Sequence, residues 1–147
     1  MMEKLLVFSF AVLFIGCAGN RPTTLGVKDG KFIPCPASPN CVSTQSAEPL
    51  HTIEPLVYKG SLDDARNHLL DVIRSMKRSR LITMQDRYIH AEFTSAVFRF
   101  VDDAEFYIDD NQKIIHVRSA ARLGYSDFGV NRKRIEAIRK LFNFYTP

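Results

Sequence analysis

The chain has 147 residues, a formal net charge of +4 and a pI near 9.1. With 46% hydrophobic and 11% aromatic residues, no low-complexity tract and no internal repeat, it is neither disordered nor fibrous. Its length suits one domain with a real core and hardly two. The positive balance permits attraction to anionic lipid or polysaccharide without demonstrating either.

The first element is a leader. From Leu5 to Ile15 every residue except Ser9 is apolar, behind Lys4 and the free amine. That run is shorter than the roughly 20 residues that cross a hydrocarbon core. A short apolar run behind a positive end, followed by small residues, is the pattern of a cleaved export signal. Leu13-Phe14-Ile15-Gly16-Cys17 resembles a lipobox, in which a peptidase cuts before a cysteine that carries lipid; Phe14 stands where Leu is commoner. The resemblance implies a signal peptide over residues 1–16 and a thioether-linked diacylglycerol on Cys17. Acyl chains such as palmitate would then hold the protein on a membrane. The other reading is an ordinary signal peptide with Cys17 standing after the cut by chance. The expected place is the cell envelope, facing the periplasm, and Ala18 rather than Asp after the cysteine bears, by likeness to known lipoproteins, on which membrane. In a two-membrane bacterium the outer membrane is favoured over the inner. Export makes nucleic acid an unexpected partner.

Residues 17–33 have the composition of a tether, with Gly19, Asn20, Pro22, Thr23, Thr24 and Gly26 and few large apolar side chains. Cys35 and Cys41 follow in Pro34-Cys35-Pro36-Ala37-Ser38-Pro39-Asn40-Cys41. Fully extended, that segment would hold the cysteines on the order of 20 Å apart. Three prolines and an Asn favour a turn that brings them together, and an oxidising compartment favours a disulfide. Two free thiols, or a metal or redox pair, are the other readings. A zinc site would want two more ligands nearby, and none is suitably spaced.

A loop to about residue 50 leads to a strand over Thr52 to Lys59, which Pro55 confines to an edge or breaks. Gly60-Ser61-Leu62-Asp63-Asp64 is a helix start, with Ser61 as cap and Asp64 closing a capping box. Leu62, Ala65, Leu69, Val72, Ile73 and Met76 recur at helical spacing as a core stripe. From Leu81 the period changes to two, giving strands over Leu81 to Asp86 and Tyr88 to Ser95. A longer strand follows, with Phe98, Phe100, Ala104, Phe106 and Ile108 on one face and Arg99, Asp103, Glu105 and Tyr107 on the other. After the turn Asp109-Asp110-Asn111-Gln112, Lys113 to Ser119 pairs back. Asn131 to Tyr145 is the closing helix, with Ile135, Ile138, Leu141, Phe142 and Tyr145 as its buried stripe. The fold class is α+β in two layers. An antiparallel β-meander of four to five strands is covered on one face by two helices, and residues 34–147 form a single domain.

Regular alternation puts Asp102 on the oily face, where a lone carboxylate is costly. Arg118, Ser119, Arg122 and Asn131 are its candidate partners, and a β-bulge freeing Asp102 and Asp103 to solvent is the alternative. On the polar face His90, Glu92, Asp103, Glu105, Tyr107, His116 and Arg118 line up side by side. They suit acid–base chemistry, divalent metal binding or a mere alternation of opposite charges. No tight metal spacing supports the metal reading. Arg132, Lys133 and Arg134 crowd the positive end of the closing helix, which implies an anionic partner, inside the protein or outside it.

Cys35-Pro36-x-Ser38-Pro39-Asn40-Cys41-Val42-Ser43-x-Gln45, Phe100-Val101-Asp102-Asp103-x-Glu105-Phe106 and the Arg118 to Arg134 segment together resemble domain-of-unknown-function family 1499. The likeness runs through nearly the whole chain after the leader. That family has Ser where Ala121 stands here, so a hydroxyl at that position is not essential. Its members often carry export signals or membrane segments, and the family brings no settled activity.

The expectation is therefore a membrane-anchored envelope lipoprotein whose domain binds an anionic ligand or an envelope protein, without a cofactor. The candidate binding residues are Asp102, Asp103, Glu105, Arg118, Arg122, Asn131 and Arg132. The alternative is a hydrolase-like envelope enzyme using these acids with His90 or His116, although no nucleophile elbow or triad signature is present. A structural module held by the two cysteines is a third reading.

Overall fold

The computed structural model describes residues 19–144; the leader, Cys17 and Tyr145 lie outside the described residues. Two short strands, β1 (Cys41–Ser43) and β2 (Leu56–Val57), precede helix α1 (Leu62–Ser75). Strands β3 (Ser79–Met84), β4 (Tyr88–Thr94), β5 (Val101–Asp109) and β6 (Ile114–Ala121) then form the meander, and α2 (Val130–Phe144) closes the chain. The sheet is antiparallel in the order β1-β6-β5-β4-β3, and β2 also pairs with β6. This is the expected two-layer α+β class, with a strand at β1 that the proline-rich loop had masked.

Local chemistry accounts for the elements. Ser61, in an extended conformation, accepts the Asp64 amide and begins α1, a cap that contributes about 1 kcal/mol. The helix buries Ala65, Leu69, Leu70, Val72 and Ile73 against the sheet. Each large apolar side chain so buried stabilises the fold by roughly 1.5–3 kcal/mol. The sheet answers with Ile89, Ala91 and Phe93 from β4, Ala104, Phe106 and Ile108 from β5, and Ile115 and Val117 from β6. From α2 come Ile135, Ile138 and Phe142.

Two strands differ from the sequence reading, and the bulge it offered as an alternative is not found. Pro55 leaves only Leu56 and Val57 to pair, so the strand expected over 52–59 is two residues long. Phe98 and Phe100 do not continue the oily face of β5. Arg99 takes a positive φ of 59°, which breaks the alternation, and the two phenyl rings stack on each other in an exposed turn. No bulge interrupts β5 at Asp102 and Asp103, which pair in continuous register with β4 and β6; the irregularity lies in β3, between Leu81 and Thr83.

Cys35 and Cys41 form a disulfide with their Cα atoms 5.6 Å apart. The turn between them is closed by the Asn40 amide, which donates to the Ser38 carbonyl. The segment with the composition of a tether lies, from residue 19 onward, across the sheet face opposite the helices. Arg21 pairs with Glu92, the Gly26 amide donates to Glu105, and Phe32 is buried. We refer to residues 19–33 as the strap.

Candidate functional site

The strap explains why the polar face is not wet. Glu92, Asp103 and Glu105 are charged side chains on the open side of the sheet, yet they are only 5%, 1% and 0% exposed. Buried carboxylates persist only when paired and hydrogen-bonded, and each of these is. Arg122 holds Asp103 with two bonds of 2.7 Å, from Nε and Nη2, and Nη2 also reaches Glu92 at 2.5 Å. His90 Nε2 lies 2.8 Å from Asp103 Oδ1. Glu92 is further held by Arg80 at 2.6 Å and by Arg21 of the strap at 2.5 Å. Glu105 accepts from Arg118 at 3.2 Å, from the Tyr88 hydroxyl at 2.9 Å and from the Gly26 amide at 2.7 Å.

These contacts set the acidities. Burial pushes Glu92 up, but the guanidiniums of Arg80, Arg122 and Arg21 outweigh it and hold the carboxyl down to about 2. Burial likewise works against Asp103, and the bonds from Arg122 and His90 bring it below the ordinary carboxylate range. Tyr88 is pushed up, by burial first and then by the carboxylate of Glu105. His116 is not part of this network. Its Nδ1 lies 3.1 Å from the Thr44 hydroxyl, its ring stacks on Tyr107, and burial lowers its pKa.

Asp102 lies on the oily face, as alternation requires, and its partner is Arg134. Nη2 of Arg134 reaches Oδ2 at 2.5 Å, and the guanidinium sits over the Phe93 ring. Burial raises the Asp102 pKa, with Arg134 opposing. Asn131 is fully buried beside the pair. Its Oδ1 accepts from Ser119 and Arg134, and its Nδ2 donates to Asp127 and to the Asn40 carbonyl. Asp127 also accepts the amides of Gly129 and Asn131, placing a carboxylate at the positive end of α2. Arg132 donates instead to the backbone carbonyls of Thr52 and Leu50. The anionic partners of that basic helix start are thus internal for Arg134, and Lys133 alone of the three basic residues stays exposed.

The seven candidate residues therefore do not make one surface. The sheet separates Asp103, Glu105, Arg118 and Arg122, under the strap, from Asp102, Asn131 and Arg132, under or beside α2. Arg21, Gly26, Arg80, Tyr88 and Arg134 complete the two clusters and were not among the candidates. The signal for them was the demand itself: three carboxylates on one sheet face require more cations than β6 supplies.

The polar cluster is not perfectly closed. Four guanidiniums, of Arg21, Arg80, Arg118 and Arg122, face three carboxylates. Arg118, 5% exposed, makes a single 3.2 Å bond to Glu105, and its Nε is buried with no hydrogen-bond partner among the described residues. A recess of about 440 Å³ opens between the strap and β3–β4, lined by Arg21, Leu25, Gly26, Thr83, Tyr88 and His90 among others. The described residues contain no group of three or more His, Cys, Asp or Glu that could hold a metal ion.

A two-layer α+β domain with charge clusters on both faces of its sheet is the class these observations define. The chain belongs to the family described as a protein of unknown function, DUF1499, which matches residues 31–142. No curated protein matches it.

Proposed function

We propose that the chain is a lipid-anchored protein of the bacterial cell envelope, and that its domain binds an anionic group under the strap without catalysing a reaction. The observation that carries the binding reading is Arg118. A buried donor without a partner costs about 1–3 kcal/mol, and native structures rarely leave one without reason. Here it sits among four guanidiniums and three carboxylates, with Arg21 and Arg80 reaching solvent, and a carboxylate or phosphate would supply the bond that Arg118 Nε lacks. The anchoring reading rests on the lipobox resemblance at Cys17.

Catalysis is less well supported, since acid–base work needs a proton-transfer group with a pKa near the working pH. Glu92 and Asp103 are held well below that range. The one feature that favours an enzyme is the His90–Asp103 pair beside the recess. Loss of a measured hydrolysis in His90→Ala, with folding intact, would establish that alternative.

Two measurements test the main reading. Intact mass of the protein purified from bacterial membranes reads the acyl groups on Cys17; an unmodified thiol there refutes the anchor. Thermal melting in inorganic phosphate, against chloride at matched ionic strength, reads the anion site. Phosphate is expected to raise the melting temperature of the unsubstituted protein and not that of Arg118→Gln. Equal shifts in both would remove the site.

A further inference from the structure

We infer that the end of the domain where the strap begins is a bilayer-docking surface, seated on anionic phospholipid. This rests on the lipid-anchor reading of Cys17 and extends it from a tethered domain to one that lies against the membrane.

The exposed apolar side chains are not scattered. Of the thirteen large ones that are exposed among the described residues, seven fall in two short segments, 97–100 and 123–130. These are the β4–β5 turn and the β6–α2 loop. They lie at the same end of the sheet, since Asp102 pairs with Ala121 and the Arg122 amide donates to the Val101 carbonyl. Phe98, Tyr125 and Phe128 are 66%, 75% and 87% exposed. Three aromatic side chains held out in water are an unfavourable surface for a free-floating domain and the usual one for a membrane interface.

Two further observations name the occupant. Gly19 packs against this same end: a Cβ added there would meet Arg122 Cβ and Leu123 Cγ, each at 3.1 Å. Cys17 precedes Gly19 by two positions, a reach of about 7 Å at most, so a lipid on Cys17 would be tethered beside the aromatic tips. The charge also suits. Lys77 and Arg78, next to the β4–β5 turn, Arg99 within it and Lys133 on the first turn of α2 are all exposed. The nearby acids Asp102 and Asp127 are bonded inside the protein. The acidic turns, Asp63-Asp64 and Asp109-Asp110, are at the opposite end, where Lys113 bonds both Asp110 and the Gly60 carbonyl. Anionic headgroups thus meet cations, and the aromatic rings meet the acyl boundary.

The chain contains no tryptophan, so a single Trp is an unshared reporter. The lipidated protein carrying Phe98→Trp, Phe128→Trp or, at the far end, Val57→Trp is reconstituted on vesicles of phosphatidylglycerol and brominated phosphatidylcholine. With insertion of roughly 5–10 Å, emission from the first two is expected to fall by about half, and that from the third to stay unchanged. Arg99→Gln and Lys133→Gln in the unlipidated full-length protein (Cys17→Ser) should each weaken sedimentation with the same vesicles by about fivefold. Unquenched emission from both tips in vesicle-bound protein would overturn docking while leaving the anchor standing. A blue shift that depends on protein concentration would also overturn it, by pointing to a second copy of the chain on the tips. Absence of acyl groups by intact mass would refute the anchor instead. Docking would then stand or fall on whether the unlipidated protein sediments with anionic and not zwitterionic vesicles.

Discussion

Arg134 of α2 reaches Asp102 of β5 beneath the helix, Nη2 to Oδ2 at 2.5 Å, with its guanidinium lying 4.8 Å over the centre of the Phe93 ring. The pair fastens the closing helix to the strand that also carries Asp103 on its other face. Removing one member of a buried pair strands the other's charge, at a cost of about 3–5 kcal/mol. Arg134→Ala is therefore expected to lower urea-unfolding stability by that amount at neutral pH. The loss should shrink in acid, because burial already raises Asp102 and its protonation relieves the stranded charge. Asp102→Asn, which keeps an acceptor for Arg134, should cost much less.

Glu92 sets an acid limit on the fold. Its carboxyl falls from 4.5 to about 2 in the folded state, so it contributes stability that is fully present above about pH 4.5 and is lost as pH falls toward 2. The contribution is about 3 kcal/mol. Asp103, also lowered, adds to the same limb. Glu92→Gln should flatten stability against pH between about 2 and 4.5 without abolishing the slope, measured by denaturant titration across that window. An unchanged slope would mean the three guanidiniums do not hold Glu92 as described.

Gly26 lets the strap reach its place. Its φ of 126° is a conformation other residues avoid, while a Cβ there would meet nothing within 4 Å. Gly26→Ala thus carries a backbone cost of about 1–3 kcal/mol and no clash. The expected result is faster tryptic cleavage after Lys28 and Lys31, with amide exchange in β5 and β6 unchanged. Loss of protection throughout the sheet would show that the strap is part of the cooperative unit.

Reduction of Cys35–Cys41 should cost about 2 kcal/mol, the chain-entropy value for so short a loop. Differential melting with and without reductant reads it. The Asn40–Gly124 and Asn131–Asn40 bonds remain to hold the loop, so the reduced protein is expected to fold.

Much of this was legible in the residues. Periodicity of two placed Asp102 among Ala104, Phe106 and Ile108, and Ser61 with Asp64 announced α1 correctly. The polar-face partners His90, Glu92, Asp103, Glu105 and Arg118 were also legible, because register follows from alternation. What escaped was long-range. Arg21 joins Glu92 across 71 positions, a contact that composition cannot reveal, and glycines and threonines in the strap have the look of a free linker. β1 escaped because three residues are too few for a pattern; Cys41, Val42 and Ser43 form a strand only because β6 offers them an open edge. Phe98 and Phe100 misled because Arg99, at positive φ, interrupts an alternation that the letters continue.

The disulfide has a mechanical meaning as well. A pull on Cys17 travels along the strap, reaching Gly19 against Leu123, then Arg21 on Glu92, then the Gly26 amide on Glu105. Each is a separate side contact, so they release one after another, as a strip peels. At Cys35 the peeling meets a covalent stop, because the load passes through the sulfurs to Cys41 and into the β1–β6 ladder. The cross-link thus divides the chain into a leash that tension can lift and a body that it must break as a whole, and the buried carboxylates lie under the leash.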